Sequence, residues 1–285
     1  LAAVMLGTTG TAQALAGVDA PVAVGASRIV LGGAVLVVLA ICTRALAHLA
    51  ANARLLVVAG IGVAAYQLAF FAAVVTTGVV VGTVVAIGVG PVAAGALEWM
   101  INRTRQSARW VVATSVAVVG IAVLSLGSGA AAGIDAGGVG LALVAGLGYA
   151  LYTVIAKVLL GRGCAPTGVM AGAFGTGALL LIPVLAFVRL DWLTAPSGWG
   201  LVLYLGVVPT ALAYVLFARG LRGTSAAETA TLTLAEPITA TMLGAIVLGE
   251  RPGAIALVGV GLVGAATAIL LLPGLRRGRV ARVRA

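Results

Sequence analysis

Apolar runs follow one another along the whole chain, and short clusters of charged residues, glycine, proline and tryptophan interrupt them. Each run is roughly 20 residues long, which at a rise of about 1.5 Å per residue matches a hydrocarbon core of about 30 Å. Breaking the chain at the clusters predicts ten spans, near residues 1–16, 21–42, 55–76, 79–101, 108–126, 137–160, 166–188, 198–218, 225–248 and 252–272. The expected fold class is an all-α polytopic membrane protein with ten transmembrane helices. The first span is short and starts without Met, so the sequence is expected to clip it. Its "TAQALAG" contains the A-x-A pattern of a signal-peptide cleavage site, but no basic region precedes it, and removal is not expected.

Composition agrees with the pattern. Of 285 residues, 62% are hydrophobic and 8% charged, and the mean hydropathy is +1.23. A soluble domain carries about 25% charged residues and could not solvate such a surface.

Charge then orients the chain, because short loops rich in Lys and Arg stay in the cytoplasm. With the N-terminus inside, the cytoplasmic segments hold Arg44, Arg54, Arg103, Arg105, Arg109, Lys157, Arg162, Arg219, Arg222 and the tail residues Arg276, Arg277, Arg279, Arg282 and Arg284. The outer segments hold only Arg189 and Arg251, beside Asp19, Asp135, Asp191 and Glu250. One span more or fewer would scatter this bias, so both termini are expected in the cytoplasm. The net charge of +10 then reports topology and anionic lipid headgroups rather than nucleic acid, and the tail "LRRGRVARVRA" reads as a positive-inside anchor. Trp99 and Trp110 toward the inner face, with Trp192 and Trp199 toward the outer, fit interfacial belts.

Several apparent motifs dissolve once depth is known. "GVGLVG" (259–264) spells a dinucleotide loop, yet it lies inside an apolar span and follows no strand, so close helix packing is expected. "NRT" (102–104) spells a glycosylation sequon on the cytoplasmic side. Cys42 and Cys164 both map to that side, where no disulfide is expected. His48 stands alone in a loop, and no cluster of His, Cys and carboxylates offers a metal site. No cofactor is expected, and no nucleophile, base and acid lie at one depth, as a membrane enzyme would need.

The chain also repeats itself. Setting residues 78–97 over 224–243 aligns Pro91 with Pro237, Thr83 with Thr229, Ala94 with Ala240 and Leu97 with Leu243, which equates the fourth span with the ninth. Pro21 and Pro166 likewise open the second and seventh. Five spans per copy is an odd number, so the second copy inserts upside down. The loops agree: "VTTG" before the fourth span has no basic residue, whereas "ARGLRGT" before the ninth carries Arg219 and Arg222. Two inverted five-helix repeats with interrupted helices at the midplane form a secondary-transporter architecture.

Residues 211–270 resemble the second EamA domain of the drug/metabolite transporter superfamily, with "Y", "TSA", "EP" and "LGER" segments in order. "TTGVVVGTVVAIGVGP" and Arg28 resemble parts of the first. The L-G-E-R segment (248–251) is matched in the first copy by Asn102, Arg103, Thr104 and Arg105. The resemblance implies a first EamA repeat over 1–135, a second over 136–272 and a basic cytoplasmic tail over 273–285. It also implies a multi-pass protein of the bacterial inner membrane that exports amino acids, related metabolites or drugs, driven by protons or by exchange. The expected partners are a small-molecule substrate, protons and membrane lipids, not nucleic acid; a homodimer stays open.

Candidate site residues are the polar groups that this depth makes costly. Glu236 lies eleven residues past Ser225, about 16 Å into the membrane, where an unpaired charge costs several kcal/mol. Pro237 has no N–H, so the carbonyl of Thr233 loses its helical donor. Thr229, Thr233 and Glu236 share one helical face and form a polar stripe. Glu236 is read as a proton carrier or ammonium ligand, with a neutral acid bracing the kink as the structural alternative. Arg28, about 10 Å from the outer face, is read as a carboxylate ligand or a partner of Glu236. Thr8, Thr9, Thr11 and Gln13 interrupt the first span, and Tyr149, Tyr152 and Tyr214 are candidate cavity residues. Pro91 and Pro237 are the expected hinges. Glu98 reads as an interfacial residue and Glu228 as a partner of Arg219 or Arg222. A sensor or scaffold without transport is the rival reading, and the absence of a long soluble segment counts against it.

Overall fold

The computed structural model describes residues 1–103, 105–127 and 135–272, with the side chains of residues 79 and 80 left aside. The tail 273–285, Thr104 and the end of the first proposed repeat (128–134) lie outside the described residues. Within them every regular element is helical. Among the described residues nine stretches are long and apolar enough to cross a membrane: Pro21–Cys42, Ala50–Gly78, Val81–Asn102, Ala108–Gly127, Ala136–Gly161, Pro166–Leu185, Pro196–Gly223, Ala226–Val247 and Ala254–Leu271.

The expected first span is instead two short helices, α1 (Ala2–Gly7) and α2 (Thr9–Ala16). The Thr8 and Thr9 hydroxyls donate to the carbonyls of Met5 and Leu6, each at 2.7 Å. Such back-bonding competes with the helical ladder and bends it. Next come α3 (Pro21–Cys42) and α4 (Ala53–Asn102). Gly78, at φ 81° and ψ 160°, breaks α4, a backbone conformation glycine adopts without a Cβ clash. The chain folds back there, since a Cβ added at Gly82 would lie 3.2 Å from the backbone of Val74.

Helix α5 (Ala108–Gly127) precedes α6 (Ala136–Gly161), whose N-cap Asp135 accepts from the Gly138 amide at 2.7 Å. α6 wedges between the two halves of α4. A Cβ on Gly148 would stand 2.7 Å from the Gly62 carbonyl, one on Gly62 2.8 Å from the Gly148 carbonyl, and one on Gly146 2.8 Å from the Ala86 carbonyl. Small residues let the backbones meet. Gly148→Leu is therefore expected to destabilise the protein by about 1 to 3 kcal/mol through overpacking. A fall in the Tm of detergent-purified protein would register it, and an unchanged Tm would refute the contact.

Helix α7 (Pro166–Leu185) packs along α3. α8 (Pro196–Gly206) passes through a π-helical turn, Val207–Leu212, into α9 (Ala213–Gly223). Pro209 donates no N–H in that turn, while the Thr210 hydroxyl donates to the Leu205 carbonyl at 2.7 Å. The ninth predicted span is two helices, α10 (Ala226–Thr233) and α11 (Glu236–Val247), and α12 (Ala254–Leu271) packs along α5. In the 259–264 glycine run only Gly259 makes a close approach, to Gly120 and Leu124, while Gly261 and Gly264 face open space.

Several basic residues counted for topology close helix ends. Arg109 donates to the carbonyls of Ile269 and Leu272, and the Lys157 ammonium donates to those of Leu221 at 2.8 Å and Arg222 at 3.2 Å. Cations near a helix C-terminus satisfy carbonyls that the helix leaves free.

Candidate functional site

The site forms where α10 gives way to α11. At the break the amides of Leu234, Ala235 and Ile238 reach back three residues, to the carbonyls of Thr231, Leu232 and Ala235. Pro237 sits in the first turn of α11, where its missing N–H costs nothing. Glu236 thus begins a half-helix, where the oriented amides favour negative charge.

The break also splits the expected stripe. Thr233 and Glu236 line a cavity of about 50 Å³, together with Arg28, Tyr66, Tyr149, Tyr214, Pro91 and Pro237. Thr229 lies outside its wall, buried and bonded to the Thr224 hydroxyl at 2.6 Å and the Ser225 carbonyl at 2.9 Å. Pro91 lies inside α4 with a helical backbone, donating no N–H there, whereas at Pro237 the helix itself breaks.

Arg28 and Glu236 both line this cavity but stand farther apart than an ion pair. Arg28 donates to the Gln67 amide oxygen at 3.3 Å. Among the described residues, the ion pair within 4.0 Å joins Arg189 and Asp191 in a loop, not Arg28 and Glu236. No described group hydrogen-bonds the Glu236 carboxylate. Gln67 is buried, and Gly25 makes room for its amide.

An aromatic wall completes the cavity. Tyr149 shares a 2.6 Å hydrogen bond with Thr233 and packs against Tyr66 and Tyr152 with ring centroids 5.9 and 5.3 Å apart. Tyr152 stands behind the lining, buried, donating to the Tyr214 hydroxyl at 3.4 Å. Phe174 braces Tyr214 at 4.1 Å between centroids.

Of the sequence candidates, the cavity gathers Glu236, Arg28, Thr233, Tyr149, Tyr214, Pro91 and Pro237, and leaves out Thr8, Thr9, Gln13, Tyr152 and Thr229. Thr8 accepts from the Tyr204 hydroxyl at 2.9 Å, and Gln13 donates to the Val18 carbonyl beside a shallow depression with Gly10 and Asp19. Tyr66 and Gln67 were missed. Gln67 was legible as an amide inside the apolar run 55–76, by the reasoning that singled out Glu236.

Two carboxylates need correction. Glu98 is buried between helices: it is 6% exposed and accepts from the amides of Ala226 (3.1 Å) and Ala227 (3.4 Å) and from Gln106 (3.2 Å). Glu228 pairs with neither arginine; it closes a capping box with Ser225, each side chain accepting from the other's amide. Among the described residues no three His, Cys, Asp or Glu side chains cluster as a metal site would require.

An all-helical multi-pass membrane protein with a charged cavity at a broken helix has the form of a transporter. Residues 136–272 match the EamA-like transporter family. The chain is 42% identical over 252 residues to the uncharacterized transporter YwfM of Bacillus subtilis (strain 168), covering 88% of this chain and 84% of that protein. It is 34% identical over 157 residues to the uncharacterized protein PA1977 of Pseudomonas aeruginosa, covering 51% and 49%. One solved crystal structure superposes with a TM-score of 0.80 over 95% of this chain and 94% of that one, at 20% identity, a likeness of fold alone. The chain belongs to the EamA-like transporter family.

Proposed function

We propose that the protein is a secondary exporter of zwitterionic amino acids or closely related metabolites, working by alternating access. The observation that carries this reading is the basic Arg28 and the acidic Glu236 lining one cavity with no ion pair between them. A substrate ammonium at Glu236 and carboxylate at Arg28 would supply the missing partners, with Tyr66, Tyr149 and Tyr214 around the remainder. Either exchange or proton return through Glu236 resets the cycle. Efflux from loaded right-side-out and inside-out vesicles across an amino-acid and drug panel tests the reading. Directional movement of an amino acid supports it, and movement of cationic drugs alone would replace it.

The proposed frame is ten spans in two inverted repeats, 1–135 and 136–272, in a bacterial inner membrane. The packing supports it. The proposed second and seventh spans (α3, α7) pair, as do the fifth and tenth (α5, α12). The sixth (α6) lies on both halves of α4, as the first (α1, α2) lies on the eighth and ninth (α8, α9, α11).

Cytoplasmic termini follow from the charge bias, and Cys42 is the residue to test them. Cys164 is buried, bonded by the Asn52 amide, and burial pushes its thiol pKa up, so it would stay silent from either face. Cys42 is exposed at the end of α3. An impermeant maleimide is expected to modify it in inside-out vesicles and to spare it in intact cells; the reverse pattern would invert the topology.

A further inference from the structure

We infer that Glu98 is the latch that closes the central cavity toward the face carrying residues 223–225, which is cytoplasmic in the proposed topology; the inference rests on the alternating-access reading. Every free amide of the first turn of α10 is accounted for. Glu98 takes those of Ala226 and Ala227, the Ser225 hydroxyl takes that of Glu228, and the Ser225 carbonyl takes that of Thr229. The carboxylate comes from α4 in the first proposed repeat and the amides from α10 in the second, so these bonds cross the seam along which the two halves would part. Gln106, on the segment after α4, holds the carboxylate in place at 3.2 Å.

The latch also seals. Ala226 and Ala227 are 0% exposed, and the cavity wall begins one turn further on, at Ala230. The opposite end is looser: Pro237 is shared between the cavity and a crevice of about 620 Å³ reaching Glu250 and Arg251. Opening toward residues 223–225 strips a buried carboxylate of two amide donors, and that loss holds this face shut until substrate or a proton rearranges the other end. Charge-assisted bonds of this kind are the strong class.

Accessibility tests the latch without any transport assay. With Cys42→Ala and Cys164→Ala as background, Thr233→Cys puts a thiol in the cavity wall. Adding Glu98→Ala is expected to speed its labelling by an impermeant maleimide from the cytoplasmic face about tenfold, and to slow labelling from the outer face. Glu98→Gln, which keeps one acceptor, should fall between and guards against misfolding of the alanine variant. Unchanged cytoplasmic labelling overturns the latch, and so does faster labelling from both faces with a lowered Tm, the mark of a helix cap alone. A labelling shift in a protein that moves no substrate would keep the latch and remove the transport reading; transport with unshifted labelling would do the opposite.

Discussion

Glu236→Gln is expected to abolish gradient-driven efflux while leaving the protein folded and inserted. Glutamine nearly matches glutamate in volume and reach, so α11 should still begin at residue 236 with Pro237 in its first turn. It loses the charge and the titration. If Glu236 returns a proton in each cycle, gradient-driven efflux collapses while exchange between the two faces survives. If it holds the substrate ammonium, binding itself weakens by about 1 to 3 kcal/mol for a lost charge-assisted bond, roughly ten- to a hundredfold in affinity. Binding, exchange and efflux measured on this one variant separate the two roles. Wild-type values in all three, with an unaltered pH profile, would remove Glu236 from the mechanism and leave it a brace for the break.

The second large effect is expected at Arg28. Arg28→Met keeps a flexible stem of similar girth, removes the guanidinium and leaves the buried Gln67 oxygen without its donor. The apparent affinity for a zwitterionic substrate should fall by about ten- to a hundredfold, the loss for one bond to a charged group. Arg28→Lys should recover only part, because an ammonium lacks the fork that reaches Gln67 and a carboxylate at once. The concentration dependence of exchange in proteoliposomes reads the change. A lowered maximal rate at unchanged half-saturation would move Arg28 from binding to the conformational step.

Much of this was legible in the chain because a membrane makes local sequence decisive. A run of apolar residues of the right length is a span whatever it touches, and Glu236 and Arg28 announce themselves by the cost of their depth. What failed depended on contacts between helices. Thr229 and Thr233 share a helical face in the sequence, yet the break after Thr233 turns Glu236 and Thr233 into the cavity and leaves Thr229 bonded back to Thr224 and Ser225 at the start of α10. Glu98 beside Trp99 reads as an interfacial pair, because nothing nearby in sequence reveals the Ala226 and Ala227 amides that approach it from α10. Thr8 and Thr9 looked like cavity polarity and instead bend their own helix.

The central claim is that Arg28 and Glu236 together read a zwitterion. Its most direct test is counterflow into proteoliposomes carrying the wild-type protein, with a panel of radiolabelled amino acids and, for each one that moves, its amine lacking the carboxylate and its acid lacking the ammonium. The account predicts that at least one amino acid is exchanged and that both truncated analogues move about tenfold more slowly or worse, each having lost one charge-assisted contact. Exchange of either analogue at the rate of its parent, or no exchange of any amino acid, would contradict it.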